Sequence, residues 1–292
     1  MVDFKKPLFN FNKGKVIKLS TKSSKVCLKK SGTKSSDLGV IIYTGIYREK
    51  HLVEPAIASL IQKRIGANST LNGKNQTFSF DLNNGGCGLV SGFQLIDGFI
   101  QSGRANHGMV ICGDTEPYSR LSSNFHFSTS AASVILSTSE NGCSFTRFKT
   151  ETFPQYKHEF KSSISWSSLK KSRKKRNVLL VSEKNNYLDL CVKCASQTLE
   201  KFLNETEISL SEIDLILPSQ SPRGFVPKLR KELNLGQKIV EVERTKGELH
   251  TAGLAATLEK TWLDGSFAQA KNILFLTVGS GITTALALYK NA

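Results

Sequence analysis

The sequence predicts an α/β fold built twice over. Three observations predict it: continuous apolar runs that lack the polar alternation of a solvated sheet, amphipathic helical stretches lying between them, and the recurrence of both in the same order in the two halves. A chain of 292 residues is long enough for two domain-sized cores or one large fused core.

Lys15 to Leu19 reads as a first strand and Ser24 to Lys30 as a short helix after it. Leu38 to Tyr43, which follows the polar Lys34-Ser35-Ser36-Asp37, reads as a strand buried on both faces. Thr77 to Leu82 is strand-like and runs into a glycine cluster, after which Val90 to Ser102 has helical amphipathicity. Gly108 to Gly113 and Ser130 to Leu136 complete the first set of apolar strands. The second set repeats it. The helical Tyr187 to Asn204 precedes the strand Ile213 to Leu217, the helix Thr251 to Leu263 matches 90–102, and Asn272 to Thr277 and Ile282 to Leu288 match 108–113 and 130–136. Strands alternating with helices predict a largely parallel architecture, here duplicated. The organisation read from this is an N-terminal half at 1–150, an excursion at 151–177 and a C-terminal half at 178–292. The polar and aromatic stretch Thr146 to Asn177 breaks the repeat and ends in Lys170-Lys171-Ser172-Arg173-Lys174-Lys175-Arg176. That basic run reads as a solvated loop in preference to a localisation signal.

Composition narrows the function. Lys and Arg number 40 against 24 Asp and Glu, a net charge of +16, which favours an anionic partner. No helix-turn-helix or zinc-finger spacing and no aromatic-interleaved basic strand is present, so nucleic acid is not the expected partner. No apolar window is long enough for a signal peptide or a membrane span, so neither membrane attachment nor export is expected. Six cysteines are scattered along the chain and read as reduced thiols of a cytoplasmic protein. Cys191 and Cys194 form a lone CxxC on a helical stretch without a second pair or nearby histidines. Zinc needs four ligands, so no metal is expected.

Chemistry concentrates in Asn83-Asn84-Gly85-Gly86-Cys87-Gly88-Leu89. A strand runs through glycines into a cysteine at the start of a helix, where free amides and the helix dipole favour a thiolate. This is the arrangement of a nucleophile held on a sharp strand-to-helix turn. A buried structural cysteine in a tight turn fits the local pattern equally well.

With Gly92-Phe93-Gln94-Leu95 and Ile100-Gln101-Ser102-Gly103-Arg104 following it, this stretch resembles the 3-oxoacyl-acyl-carrier-protein synthase III group of the thiolase superfamily. Glu54 to Gly66 resembles the helix that precedes the catalytic turn in that group, and Val278-Gly279-Ser280-Gly281-Ile282 resembles its glycine-rich loop. The resemblance runs from about Ser24 to Tyr289. It implies a thiolase-like five-layered αβαβα fold of two duplicated halves and a dimer. It also implies acyl transfer in which Cys87 takes an acyl group from a thioester and passes it on, with the amides of Cys87 and Ser280 as the oxyanion hole.

The departures from that group shape the expectation. Its usual histidine follows a proline, where this chain has Pro218-Ser219-Gln220; its usual asparagine follows a glycine, where this chain has Gly247-Glu248. Serine does not accept a proton near neutral pH as imidazole does. His250, in the loop that opens the 251–263 helix, is the candidate replacement, with Glu248 as a second acid/base candidate and His126 as a weaker one. The long insertion that helps the group hold coenzyme A is missing near the N-terminus. An acyl chain tethered to an acidic acyl carrier protein is therefore the expected donor, and the basic excess suits it. The functional reading is a ketosynthase III-like acyltransferase that uses no cofactor and acts in fatty-acid or polyketide-like biosynthesis. The alternative is a non-catalytic or impaired subunit paired with an active ketosynthase, so the dimer is either homomeric or heteromeric.

Overall fold

The structure, a computed structural model, describes residues 2–11, 15–68, 76–118, 122, 124–167, 176–242 and 247–292. The chain opens with strand β1 (Val2–Phe11) and helix α1 (Val16–Ser31), then alternates β2 (Leu38–Tyr43), α2 (Ile57–Ile65), β3 (Phe78–Asp81), α3 (Gly88–Gln101), β4 (His107–Asp114) and β5 (Ser130–Thr138). These strands form one sheet in the order β1-β5-β4-β2-β3. A second sheet, in the order β6-β11-β10-β9, uses β6 (Ser144–Thr152), β9 (Leu215–Pro218), β10 (Asn272–Gly279) and β11 (Thr283–Lys290). Between β6 and β9 come the hairpin β7 (Phe160–Ser167) and β8 (Arg176–Glu183), then helix α4 (Tyr187–Thr206). Helices α5 (Phe225–Glu232), α6 (Gly253–Leu263) and α7 (Ser266–Gln269) lie between β9 and β10.

Strand burial explains the layering. Successive side chains point to opposite faces of a sheet, and here both faces are covered. Val40, Ile42, Val110 and Cys112 of the first sheet pack with Leu89, Phe93 and Ile96 of α3, Leu254 and Leu258 of α6, and Leu217, Phe275 and Ala287 of the second sheet. Their neighbours Ile41, Tyr43, Met109 and Ile111 face the other way, onto Val16, Leu28, Ile57 and Ile61 of α1 and α2. In the second sheet Ile216, Leu274, Leu276 and Leu286 face outward onto Cys191, Leu199 and Phe202 of α4 and Phe225 and Leu229 of α5. The order is α1/α2, sheet, α3/α6, sheet, α4/α5: the expected five layers.

The expected pairing of the halves is present strand by strand, down to a remnant. Where β3 flanks β2 in the first sheet, Ile239 makes a single parallel bridge to Ile216 of β9. Three expectations are corrected. Lys15 to Leu19 is not a strand, because Val16, Ile17, Leu19, Ser20, Ser23, Ser24, Cys27 and Leu28 are buried at one helical spacing and form a single helix. The strand lies earlier, at Val2–Phe11, paired antiparallel with β5. The sheets are mixed rather than largely parallel. β2 runs parallel to β3 and β4, and β9 to β10, but the connections from β4 to β5 and from β10 to β11 carry no helix among the described residues and return antiparallel. Finally, residues 144–152 open the second sheet as edge strand β6, half of whose side chains meet solvent. That exposure is why they looked like part of an excursion. Most of the basic run lies outside the described residues; Arg176 begins β8. Among the described residues no helix is long and apolar enough to cross a membrane.

Candidate active site

The carboxyl end of β10 approaches the turn between β3 and α3, and a small cleft opens there. It is lined by Gly86 from the turn, and by Val278, Gly279 and Ser280 from β10 and its following loop. Phe127, Phe160, Glu183, Tyr187, Ser219, Ser221, Pro222 and His250 complete its lining. The glycine loop and the cysteine turn expected from sequence do meet. A side chain on Gly85 would lie 3.8 Å from the Ser280 hydroxyl.

Within the turn, the residue facing the cleft is Gly86 and not Cys87. Gly85–Cys87 is a 3-10 turn leading into α3, and successive residues of such a turn point about 120° apart. The Cys87 side chain is fully buried and its thiol donates to the Thr283 carbonyl at 3.3 Å. It lies behind the wall of the cleft, 3.6 Å from where a Gly279 side chain would begin. Burial pushes the thiol up to about 12, against smaller opposing contacts with the Thr277 hydroxyl and the Ala285 backbone. Proximity to a helix start was expected to favour the thiolate; desolvation outweighs it here. The Cys87 amide is engaged with the Asn84 carbonyl at 3.0 Å, so the amide expected as an oxyanion donor serves the turn. Gly86 has no room for a side chain, since a Cβ there would stand 2.3 Å from the Val278 carbonyl oxygen.

His250 lines the cleft from the turn His250–Ala252 ahead of α6. Its ring lies between Phe127 and Tyr47, with centroids at 4.6 and 5.2 Å. Nδ1 is 3.1 Å from Oδ2 of Asp114, a partner the sequence reading missed. Asp114 ends β4 and is 1% exposed. Its Oδ1 accepts the amides of Ile46 and Tyr47 at 2.9 and 2.8 Å, and its Oδ2 accepts the Thr251 amide and hydroxyl at 3.1 and 2.6 Å. Burial alone would raise this carboxyl, but His250, Thr251 and the Tyr47 amide outweigh it and hold it below its ordinary value. A charged residue closing an otherwise apolar strand was the available signal.

The remaining candidates are placed as follows. Ser219 lies in the cleft wall, 3% exposed, with its hydroxyl accepting the Val278 amide at 3.0 Å. Glu248 accepts from the Ser221 hydroxyl and approaches Nε2 of His126 at 3.5 Å. It adjoins the cleft through Ser221. His126 is bound through Nδ1 to the Asn124 carbonyl at 2.9 Å. Glu183, another residue the sequence did not flag, is raised by burial and by Glu248, with His126 opposing. Tyr187 is raised by burial and by its contact with Cys191. Cys191 and Cys194 are free buried thiols. Among the described residues no cluster of three or more His, Cys, Asp or Glu side chains is placed to hold a metal ion.

With this geometry in place, comparison with known proteins is informative. Residues 80–153 match the family 3-oxoacyl-[acyl-carrier-protein (ACP)] synthase III, and residues 203–290 match the C-terminal part of the same family. Together the two matches cover more than half of the chain. A curated relative, beta-ketoacyl-[acyl-carrier-protein] synthase III of Vesicomyosocius okutanii, is 24% identical over 274 residues, covering 91% of this chain and 80% of the relative. The Aquifex aeolicus protein of the same name is 21% identical over 280 residues, covering 93% and 83%. The crystal structure of the Aquifex aeolicus synthase III superposes with a TM-score of 0.77 at 17% identity, over 96% of this chain and 86% of that one. Xanthomonas campestris OleA, in a structure described as having lauric acid and lauroyl-CoA bound, superposes with a TM-score of 0.76 at 16% identity, over 94% and 82%.

Proposed function

This chain belongs to the ketosynthase III-like group of the thiolase superfamily, and from that premise we propose that it is the non-condensing member of a pair. In this reading it holds an acyl thioester in its cleft without carrying the acyl group on Cys87, while a second thiolase-fold subunit supplies the nucleophile. The observation that carries the reading is the turn itself. A nucleophile has to meet the carbonyl carbon from within the cleft, and of the cysteine turn only Gly86, which carries no side chain, lines it. Cys87 points into the core, where burial pushes its thiol up to about 12 and disfavours the thiolate at neutral pH. The donors that would polarise a malonyl carbonyl are also changed, to Ser219 and Glu248. Loss of one such donor typically slows a step by ~10²–10³.

Acyl thioesters are the ligand class named for the relatives, through acyl carrier protein in the synthases and lauroyl-CoA in OleA. The near-direct passage from β1 at Phe11 to α1 at Val16 leaves little chain to cover a coenzyme A adenine. An acidic carrier protein suits the +16 charge, and the pathway is fatty-acid or polyketide-like synthesis. The acyl-Cys87 reading keeps one observation in its favour: the sulfur lies directly behind Gly279 of the cleft wall, so a modest turn of the start of α3 would bring it into the cleft.

Intact-mass measurement separates the two readings. After incubation with acyl-carrier-protein thioesters the purified chain is expected to show no acyl adduct. It should regain condensation only when co-purified with a cysteine-bearing thiolase-fold partner. An adduct that maps to Cys87 and disappears in Cys87→Ala overturns the proposal.

A further inference from the structure

We propose that the cleft hydrolyses acyl thioesters directly with water, His250 being the general base and Asp114 the residue that positions it. The inference rests on the reading that no thiolate enters the cleft. A carboxylate only accepts hydrogen bonds, so the Asp114 contact places the proton of neutral His250 on Nδ1 and the lone pair on Nε2. Asp114 cannot readily turn away, because two backbone amides hold one of its oxygens and Thr251 holds the other. His250 is itself held at a φ of +25°, a backbone strain that persists only where surrounding contacts fix it. Here Asp114 binds both the ring and the next amide.

The Ser219 and Ser221 hydroxyls of the cleft are both engaged with protein groups, which points to water as the nucleophile. The Ser221 hydroxyl donates to Glu248, and the Ser219 hydroxyl sits against the Val278 amide. In the proposed step Nε2 removes a proton from water as its oxygen bonds to the thioester carbon. The tetrahedral oxyanion then collapses, the carbon–sulfur bond breaks, and the thiolate leaving group takes the proton back from Nε2. The products are a carboxylic acid and a free thiol, with no change of oxidation state. A subunit of this kind would clear acyl groups from thioesters that its pair does not elongate.

The test uses the intact chain with N-acetylcysteamine thioesters of short, medium and long straight-chain acids, following free acid and thiol by mass spectrometry. Release above the buffer rate is expected, unchanged in Cys87→Ala. In His250→Gln it should fall by about 10²–10⁴-fold, the usual worth of a general base, with the melting temperature held as a check on folding. Asp114→Asn should lower kcat and leave KM in place, which a merely structural loss would not do. Release at the buffer rate with every thioester, or release that survives His250→Gln, overturns hydrolysis. Release that requires Cys87 overturns it too, and overturns the non-condensing reading only if an acyl adduct is also found on Cys87.

Discussion

Asp114 and Cys87 are both buried ionisable groups, yet their surroundings move them in opposite senses. Asp114 is held below its ordinary value, so it contributes stability that is present above the unfolded carboxyl's pKa and is lost as pH falls through the lowered folded value. Asp114→Asn is expected to be destabilising at neutral pH by about 1–3 kcal/mol, because donors to the carboxylate lose their charged partner. The gap from wild type should narrow below the ordinary carboxylate range, as read from urea midpoints across pH. A gap that stays constant with pH would refute the account. Cys87 has the reverse sign: its contribution is whole below the ordinary thiol value and lost as pH climbs towards about 12. At this scale the sequence was only half legible. His250 was identifiable from its loop, and the glycines marked the turn. Which of Gly86 and Cys87 faced the cleft was not, since one step along a 3-10 turn exchanges the core for the cavity. Asp114 was hidden because its partner lies 136 residues away.

Helix α2 illustrates how elements borrow their ends from one another. Its own N-cap, Ala56, offers no side-chain hydrogen bond. The carboxylate of Asp81, at the end of β3, takes the amides of Ile57 and Ala58, both at 2.9 Å, and also pairs with Arg48 at 3.0 Å. It therefore acts as a cap supplied from another strand, satisfying first-turn donors and opposing the positive end of the helix dipole. Asp81→Ala is expected to cost about 0.5–2 kcal/mol and to speed hydrogen exchange at the amides of 57 and 58 before it affects the rest of the molecule. Unchanged exchange there would show that the helix start is held by other means. Legibility by element follows burial. Strands covered on both faces, such as β2, β4 and β10, stood out as continuous apolar runs. Edge strands β1 and β6 did not, because both interleave polar residues with apolar ones, a pattern that composition cannot tell from a loop.

Across the whole molecule the two halves are joined by an aromatic seam. Phe4 of β1 packs edge-on against Phe93, Phe145, Phe267 and Tyr289, with centroids between 4.9 and 5.6 Å, and lies tilted against Phe275 at 5.4 Å. Its five partners come from α3, α7 and strands β6, β10 and β11 of the second sheet, so one side chain touches both halves. The Tyr289 hydroxyl adds a hydrogen bond to Asp3 at 3.2 Å. Phe4→Ala should cost about 3–5 kcal/mol and lower the melting temperature of the chain as a single transition. A variant that instead melts in two steps would mean that the halves are thermally independent. The duplication was visible in sequence because both sheets are sandwiched and so carry the same apolar signature. The seam was not, since it is made by residues drawn from both extremes of the numbering.

That seam has a consequence for biosynthesis. Phe4 pairs with Leu136 across β1 and β5, and its ring is walled by Phe275 and Tyr289. At ~5–20 residues per second of translation, β1 waits about 15–60 s for its last neighbours to leave the ribosome. Its hydrogen-bonding partner β5 follows about halfway through, but the apolar face around Phe4 stays uncovered until β10 and β11 emerge, and is available meanwhile to any other nascent chain. The newborn protein should therefore depend on a holding chaperone far more than its compact finished form suggests.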